Sequence, residues 1–291
     1  MASLDSSPSE IEVGKIALPE LVKTFEILTE EKIGFLKKMF YAGTPIITII
    51  FSELLIFEGR LKEASIAYTL LLLILSFSTT VTKKQEVREI HQAFLLLPIF
   101  RLVNLSMPIF SEINLYSFVF IYAPMTIPLV IAIGNQRITF EKKKVTFKKI
   151  LSQVPLAVLA GLVLGEAEYI LSGNRNLIPD ISPANILLFI IIMIFIVGLI
   201  EEFIFRAILQ KRLEKFLGPT GGILLASLLF GIMHSGYGTP LEMVFASLVG
   251  GFLGYCFYRT QSLAFVIMIN GLINIFSFGI IPTLGPGLGF M

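Results

Sequence analysis

Fifteen consecutive apolar residues, Ile186 to Ile200, run directly into Glu201 and Glu202, with Arg206 four positions after the second glutamate. Water-soluble helices rarely follow such a run with paired carboxylates. A lipid-facing helix does not carry them either, because an unpaired charge in hydrocarbon costs at least ~2.5–3.5 kcal/mol. The chain must therefore fold so that other segments surround these groups. An ionisable cluster at membrane depth marks a functional site by default.

Composition extends this to the whole chain. Of 291 residues, 55% are hydrophobic and 15% charged, and the mean hydropathy is +0.84. That profile excludes a soluble globular domain and defines an integral membrane protein. Residues 1–33 are mixed in charge, without the basic and then apolar regions of a secretory signal. Cys256 is the sole cysteine, so no intramolecular disulfide can form. The net charge of +2 gives no reason to expect a nucleic-acid partner, and Lys142, Lys143, Lys144, Lys148 and Lys149 read as a loop facing anionic lipid.

The expected fold is all-α, a polytopic bundle of about eight transmembrane helices, since each crossing needs roughly 20 apolar residues. Candidate spans lie near 40–57, 64–82, 92–110, 115–135, 150–171, 183–205, 220–235, 240–258 and 262–283, the third interrupted by Pro98, Arg101, Asn104 and Pro108. Residues 1–39 form a cytoplasmic polar segment with an amphipathic helix near 16–38. Residues 40–291 form the membrane domain, with the chemical core in 183–283. Placing the N-terminus inside puts fourteen Lys and Arg residues in inner loops, against Arg60, Lys62 and Arg175 outside. That asymmetry follows the positive-inside rule.

Ser182-Pro183 supplies an N-cap and a first-turn proline, and Gly218-Pro219 a stop. The helix between them is about 35 residues, roughly 52 Å long, so its polar end emerges into the cytosol. The next helix returns antiparallel. Glu202 and His234 each lie sixteen residues from Gly218, which sets both roughly 24 Å from the turn. Phe230 shares the face of His234 one turn away. Asn270 and Asn274 project from one face of the last span, Asn274 about 21 Å from the turn near residue 260. Glu202 and Arg206 form an i,i+4 pair in the favoured order, which leaves Glu201 without a cation. A carboxylate beside an imidazole can take a proton from water and return it to a leaving amine. The two asparagines can donate to a developing oxyanion. These parts fit hydrolysis of an acyl bond at the membrane–cytosol boundary.

Other polar residues have simpler readings. Glu242 follows Thr239 and Pro240 as part of a capping box. Glu53, Glu166 and Glu168 fall near outer helix ends and read as interfacial, and His91 reads as a surface group. A structural ion pair is the simpler reading of Glu201, Glu202 and Arg206, and interhelical packing that of Asn270 and Asn274. The common depth of these groups favours chemistry. With two histidines and no His-Glu-x-x-His, the chain lacks the usual ligands of a catalytic zinc. No metal and no cofactor is expected.

Glu-Glu-x-x-x-Arg (201–206), Phe-x-x-x-His (230–234) and x-x-x-Asn (270–274), in this order, resemble the CPBP family of CaaX prenyl endopeptidases and bacteriocin-processing and immunity proteins. The resemblance covers residues 183–283. It implies an eight-helix intramembrane protease open to the cytosol, acting on a prenylated or otherwise membrane-associated peptide. By matching position Glu201 activates water with His234, Glu202 and Arg206 support the site beside Phe230, and Asn270 with Asn274 forms the oxyanion hole. The family usually has a histidine where this chain has Asn270, and an amide donates a hydrogen bond but does not shuttle a proton. The competing readings are a non-catalytic immunity or partner-binding protein of the same fold, favoured by Asn270, and a transporter with a polar relay.

Overall fold

In a computed structural model, the structure describes residues 18–106, 114–135, 147–173, 176–237 and 239–289. Among the described residues there are nine helices and no strand. They are α1 (Leu18–Phe57), α2 (Leu61–Val81), α3 (Gln85–Ser106), α4 (Leu115–Asn135), α5 (Phe147–Ser172), α6 (Pro183–Leu217), α7 (Pro219–Ile232), α8 (Pro240–Thr260) and α9 (Leu263–Leu284). The chain divides into two units, Met1–Tyr41 and Ala42–Met291. In the first, the backbone is helical from Leu18; the amphipathic pattern expected over 16–38 falls almost wholly on side chains outside the described residues. Everything below concerns the second unit.

Seven helices are long and apolar enough to cross a bilayer, which agrees with an all-α polytopic bundle. Two of the nine expected segments are not among these seven described helices. α7 has 14 residues, roughly 21 Å, because the chain leaves helical geometry at Met233 rather than continuing to 235. α3 is long enough, but it carries Glu89, His91 and Arg101, all buried, as well as Pro98; residues 107–110 of that expected span lie outside the described residues. Of the expected basic loop, Lys142 to Lys144 also lie outside them, while Lys148 and Lys149 belong to the first turn of α5.

Burial is arranged for a lipid solvent. On α2, Ile66, Leu70, Leu73, Ile74 and Phe77 are exposed while Tyr68, Leu71 and Leu75 face inward. Polar groups are correspondingly interior, since hydrocarbon offers them no partners. Three expectations change on this ground. Glu53 is fully buried rather than interfacial, Glu168 is buried, and His91 is buried with its Nδ1 2.7 Å from the Ser78 hydroxyl.

The helix caps follow the sequence signals. Ser182 accepts a hydrogen bond from the Asn185 N–H at the start of α6, and Gly218 ends it with φ +87°, a left-handed conformation that glycine adopts without steric penalty. α6 is not uniform. Its residues 192–198 and 203–210 are π-helical, leaving a single α-helical turn, Leu199–Glu202, between them. Local π geometry is rare and often accompanies functional sites.

Candidate active site

The glutamate turn is held against α9 by a glycine crossing. A Cβ on Gly271 would stand 2.7 Å from Ile194 Cγ1, and one on Gly198 3.1 Å from the Gly271 nitrogen. Small residues on both helices allow backbones to approach this closely. Asn270, next to Gly271, thereby reaches both carboxylates. Its Nδ2 donates to Glu201 Oε2 at 3.0 Å and to Glu202 Oε1 at 2.8 Å.

The two glutamates have different surroundings. Glu202 Oε1 also accepts from Arg206 Nη1 at 2.8 Å, both side chains being buried, so the expected i,i+4 pair forms. Arg206 Nη2 donates to the Gly250 carbonyl at 3.3 Å, and its guanidinium lies 4.4 Å from the Phe230 ring centroid, within cation–π range. Glu201 has neutral donors instead, with Asn270 on one oxygen and the Tyr122 hydroxyl on the other at 2.5 Å. Tyr122 comes from α4 and had no sequence signal, being one tyrosine among eight.

His234 sits just past α7, where its backbone N–H donates to the Gly231 carbonyl. Its Nδ1 lies 2.8 Å from the Phe230 carbonyl oxygen. A carbonyl only accepts, so Nδ1 carries the hydrogen, and in the neutral ring Nε2 holds the lone pair. The Phe230 ring centroid lies 4.9 Å from that of the imidazole, the two planes tilted by 54°. His234 and Glu201 line the same two cavities. The antiparallel count thus places imidazole and carboxylate together, with Glu201 rather than Glu202 facing the cavity.

The smaller cavity has a volume of about 30 Å³, with Glu201, His234, Asn270 and Asn274 in its walls. That is enough for a water, which needs roughly 10–15 Å³ and two to four polar partners. Asn270 and Asn274 share it, as their spacing requires, but their donors differ. The Asn270 amide nitrogen is engaged by the two carboxylates, whereas Asn274 Nδ2 is buried without a partner.

Glu168 and Glu242 wall the same cavity, and each has one buried oxygen without a partner. Sequence reasoning gave both simpler roles. The Thr239 hydroxyl does accept from the Glu242 N–H at 3.1 Å, so the cap is real while the carboxylate turns inward. Gly231 makes this packing possible, since a Cβ there would fall 1.9 Å from Ser247 Oγ on α8. A carboxylate at a helix start serves cap and cavity at once, and the sequence shows only the cap.

The larger cavity, about 130 Å³, adds Phe100, Arg101, Phe205 and Met233 to Glu201 and His234. Arg101 belongs to a second buried network, in which its Nε and Nη2 bind Glu53 Oε1 and Oε2 at 2.7 and 2.6 Å. Tyr68 and Ser235 also donate to Glu53, and Arg101 Nη2 donates to the Met233 carbonyl. This network fixes the turn that carries His234.

The described residues thus place a buried glutamate, an imidazole and amide donors around one water-sized cavity. Residues 183–276 match the family model described as Type II CAAX prenyl endopeptidase Rce1-like. The match runs from α6 into α9, about a third of the chain, and is consistent with a CPBP-family protease. No curated protein and no solved structure matches the chain.

Proposed function

We propose that the protein is an intramembrane endopeptidase of the CaaX-processing type, cleaving a prenylated C-terminal peptide with water activated between Glu201 and His234. One observation carries the reading: the two groups share a water-sized cavity into which an unpartnered amide, Asn274 Nδ2, also opens.

In this mechanism Tyr122 and Asn270 orient the Glu201 carboxylate. Glu201 takes a proton from the water while the neutral His234 ring accepts a hydrogen bond at Nε2 and steers the nucleophile. The oxygen of the water bonds to the scissile carbonyl carbon, and the carbonyl oxygen gathers negative charge. Asn274 Nδ2 donates to that oxygen. The C–N bond then breaks, and the proton held on Glu201 passes to the departing amine. Asn270, occupied by both carboxylates, positions Glu201 rather than serving the oxyanion. Glu202 is committed to Arg206, so the donor set favours a reaction without a resident metal. Among the described residues no three His, Cys, Asp or Glu side chains converge as ligands.

The lipid of the substrate stays in the bilayer while the peptide enters between helices. The Lys/Arg asymmetry supports a cytoplasmic N-terminus and a cytoplasmic opening of the site. A non-catalytic binding role is the second reading, favoured by the amide at 270. The test is cleavage of a farnesylated CaaX peptide by detergent-purified protein, with and without chelator. Wild-type cleavage that survives chelation and falls by about 10²–10⁴-fold in Glu201→Gln supports the mechanism. Cleavage only after Asn270→His points to the binding role, and loss with chelator sinks the metal-free route.

A further inference from the structure

A guanidinium offers five N–H donors in a fixed fork, and Arg101 uses three of them. Nε donates to Glu53 Oε1, and Nη2 donates to Glu53 Oε2 and to the Met233 carbonyl. Nη1 makes no hydrogen bond to any described residue, although Arg101 is only 5% exposed. The side chain lines the larger cavity together with Glu201 and His234. A Cβ built on Gly236, another wall residue, would lie 4.0 Å from Nη1, so the absence of a side chain there keeps this nitrogen open to the cavity. Asn104, three residues along the same helix face, adds an amide to the same wall. Phe100, Ile121 and Met233 make the surroundings apolar.

Two N–H groups of a cation turned to a cavity with largely apolar walls are placed to bind an acceptor that enters it. Glu53 is not available to take them. Its carboxylate already accepts from Tyr68 and Ser235 as well as from Arg101. A peptide cut near its C-terminus brings an acceptor of the right kind, since its terminal carboxylate lies only a few residues from the scissile bond. Guanidinium–carboxylate bonds are charge-assisted and stronger than neutral ones.

Resting on the peptidase reading above, we propose that Arg101 Nη1, assisted by Asn104, binds the free C-terminal carboxylate of the substrate and so restricts cleavage to peptides ending close to the cut. Arg101 is then a specificity residue. It does not touch the reacting atoms, and the Glu53 network holds its fork in place.

The experiment compares two farnesylated CaaX peptides identical except for a C-terminal acid or amide. Wild-type protein should cleave the acid with at least tenfold higher kcat/KM, the difference lying mainly in KM. The double variant Glu53→Gln/Arg101→Gln, which removes both charges together, should treat the two peptides alike. In parallel, both peptides are bound to Glu201→Gln protein and followed by fluorescence anisotropy, where the acid should bind about tenfold more tightly. Equal cleavage or equal binding of acid and amide by protein retaining Arg101 overturns the inference and leaves the peptidase reading standing. Failure of wild type to cleave either peptide counts against the peptidase reading, and the binding comparison then decides the carboxylate site by itself. The wild-type comparison needs no variant, so poor folding of the double variant does not remove the test.

Discussion

Two buried carboxylates in this bundle are held in opposite ways. Glu53 accepts four hydrogen bonds, two of them from the Arg101 guanidinium and two from the hydroxyls of Tyr68 and Ser235. Glu201 accepts two, both from neutral groups, Tyr122 and Asn270. A carboxylate bound by a guanidinium at both oxygens and by two hydroxyls has its acceptor sites taken and its position locked. One held only by a phenol and an amide keeps its orientation while leaving lone pairs open to the cavity. The contrast distinguishes groups that composition alone makes equivalent, and under the proposed mechanism it divides scaffold from chemistry.

The largest test of this contrast swaps the consequences of mutation. Glu53→Ala should destabilise the fold by about 3–5 kcal/mol, because it leaves the Arg101 charge buried and uncompensated. Thermal unfolding in detergent would register it as a large drop in midpoint. Glu201→Gln should leave that midpoint close to wild type while abolishing peptide cleavage. If Glu201→Gln is the more destabilising of the two, the division between scaffold and reactive carboxylate is wrong.

Asn274 sharpens the same comparison at smaller scale. Its Nδ2 has no partner in the resting molecule, so truncation removes no bond from the folded state. Asn274→Ala should therefore lower kcat about 10²–10³-fold, the usual loss for one oxyanion donor, with an unfolding midpoint near wild type. A variant that keeps full activity would take the oxyanion role away from this residue.

The parts of the site legible in sequence were those within one or two helices. The Glu202–Arg206 pair follows from i,i+4 geometry, and the shared depth of the glutamates and His234 follows from counting along an antiparallel hairpin. The caps at Ser182 and Gly218 set those counts. What stayed hidden depended on contacts between helices far apart in sequence. Tyr122 meets Glu201 across 79 residues and Arg101 meets Glu53 across 48, and no local pattern encodes either. Glu53, Glu168 and Glu242 misled for a shared reason. A carboxylate near the end of a helix has the same local sequence whether it meets headgroups or turns into the bundle, and only packing such as the Gly231–Ser247 approach decides.

The smallest effect concerns a third carboxylate, Glu89, which lies outside the seven candidate spans. It bonds the Gln85 amide at 2.8 Å, Arg212 at 2.6 Å and Lys215 at 3.3 Å, tying α3 to the end of α6. Burial acts to raise its pKa, but the amide and the two cations together outweigh it and hold the carboxyl below its ordinary value. A depressed folded-state pKa means that the pair's stabilisation is fully present above the unfolded value, about 4.3, and is lost as pH falls through the folded value. Lys215 is half exposed, so the contribution is about 1 kcal/mol or less. Unfolding midpoints of wild type and Glu89→Gln should therefore differ at pH 7 and converge as pH is lowered below about 4. Increasing salt at pH 7 should shrink the difference as well, whereas the buried Glu53 pair should be insensitive to salt. A Glu89 effect that persists at low pH and high salt would place this pair with Glu53 in the dry interior, and the gradient from locked to water-accessible carboxylates would lose its outer member.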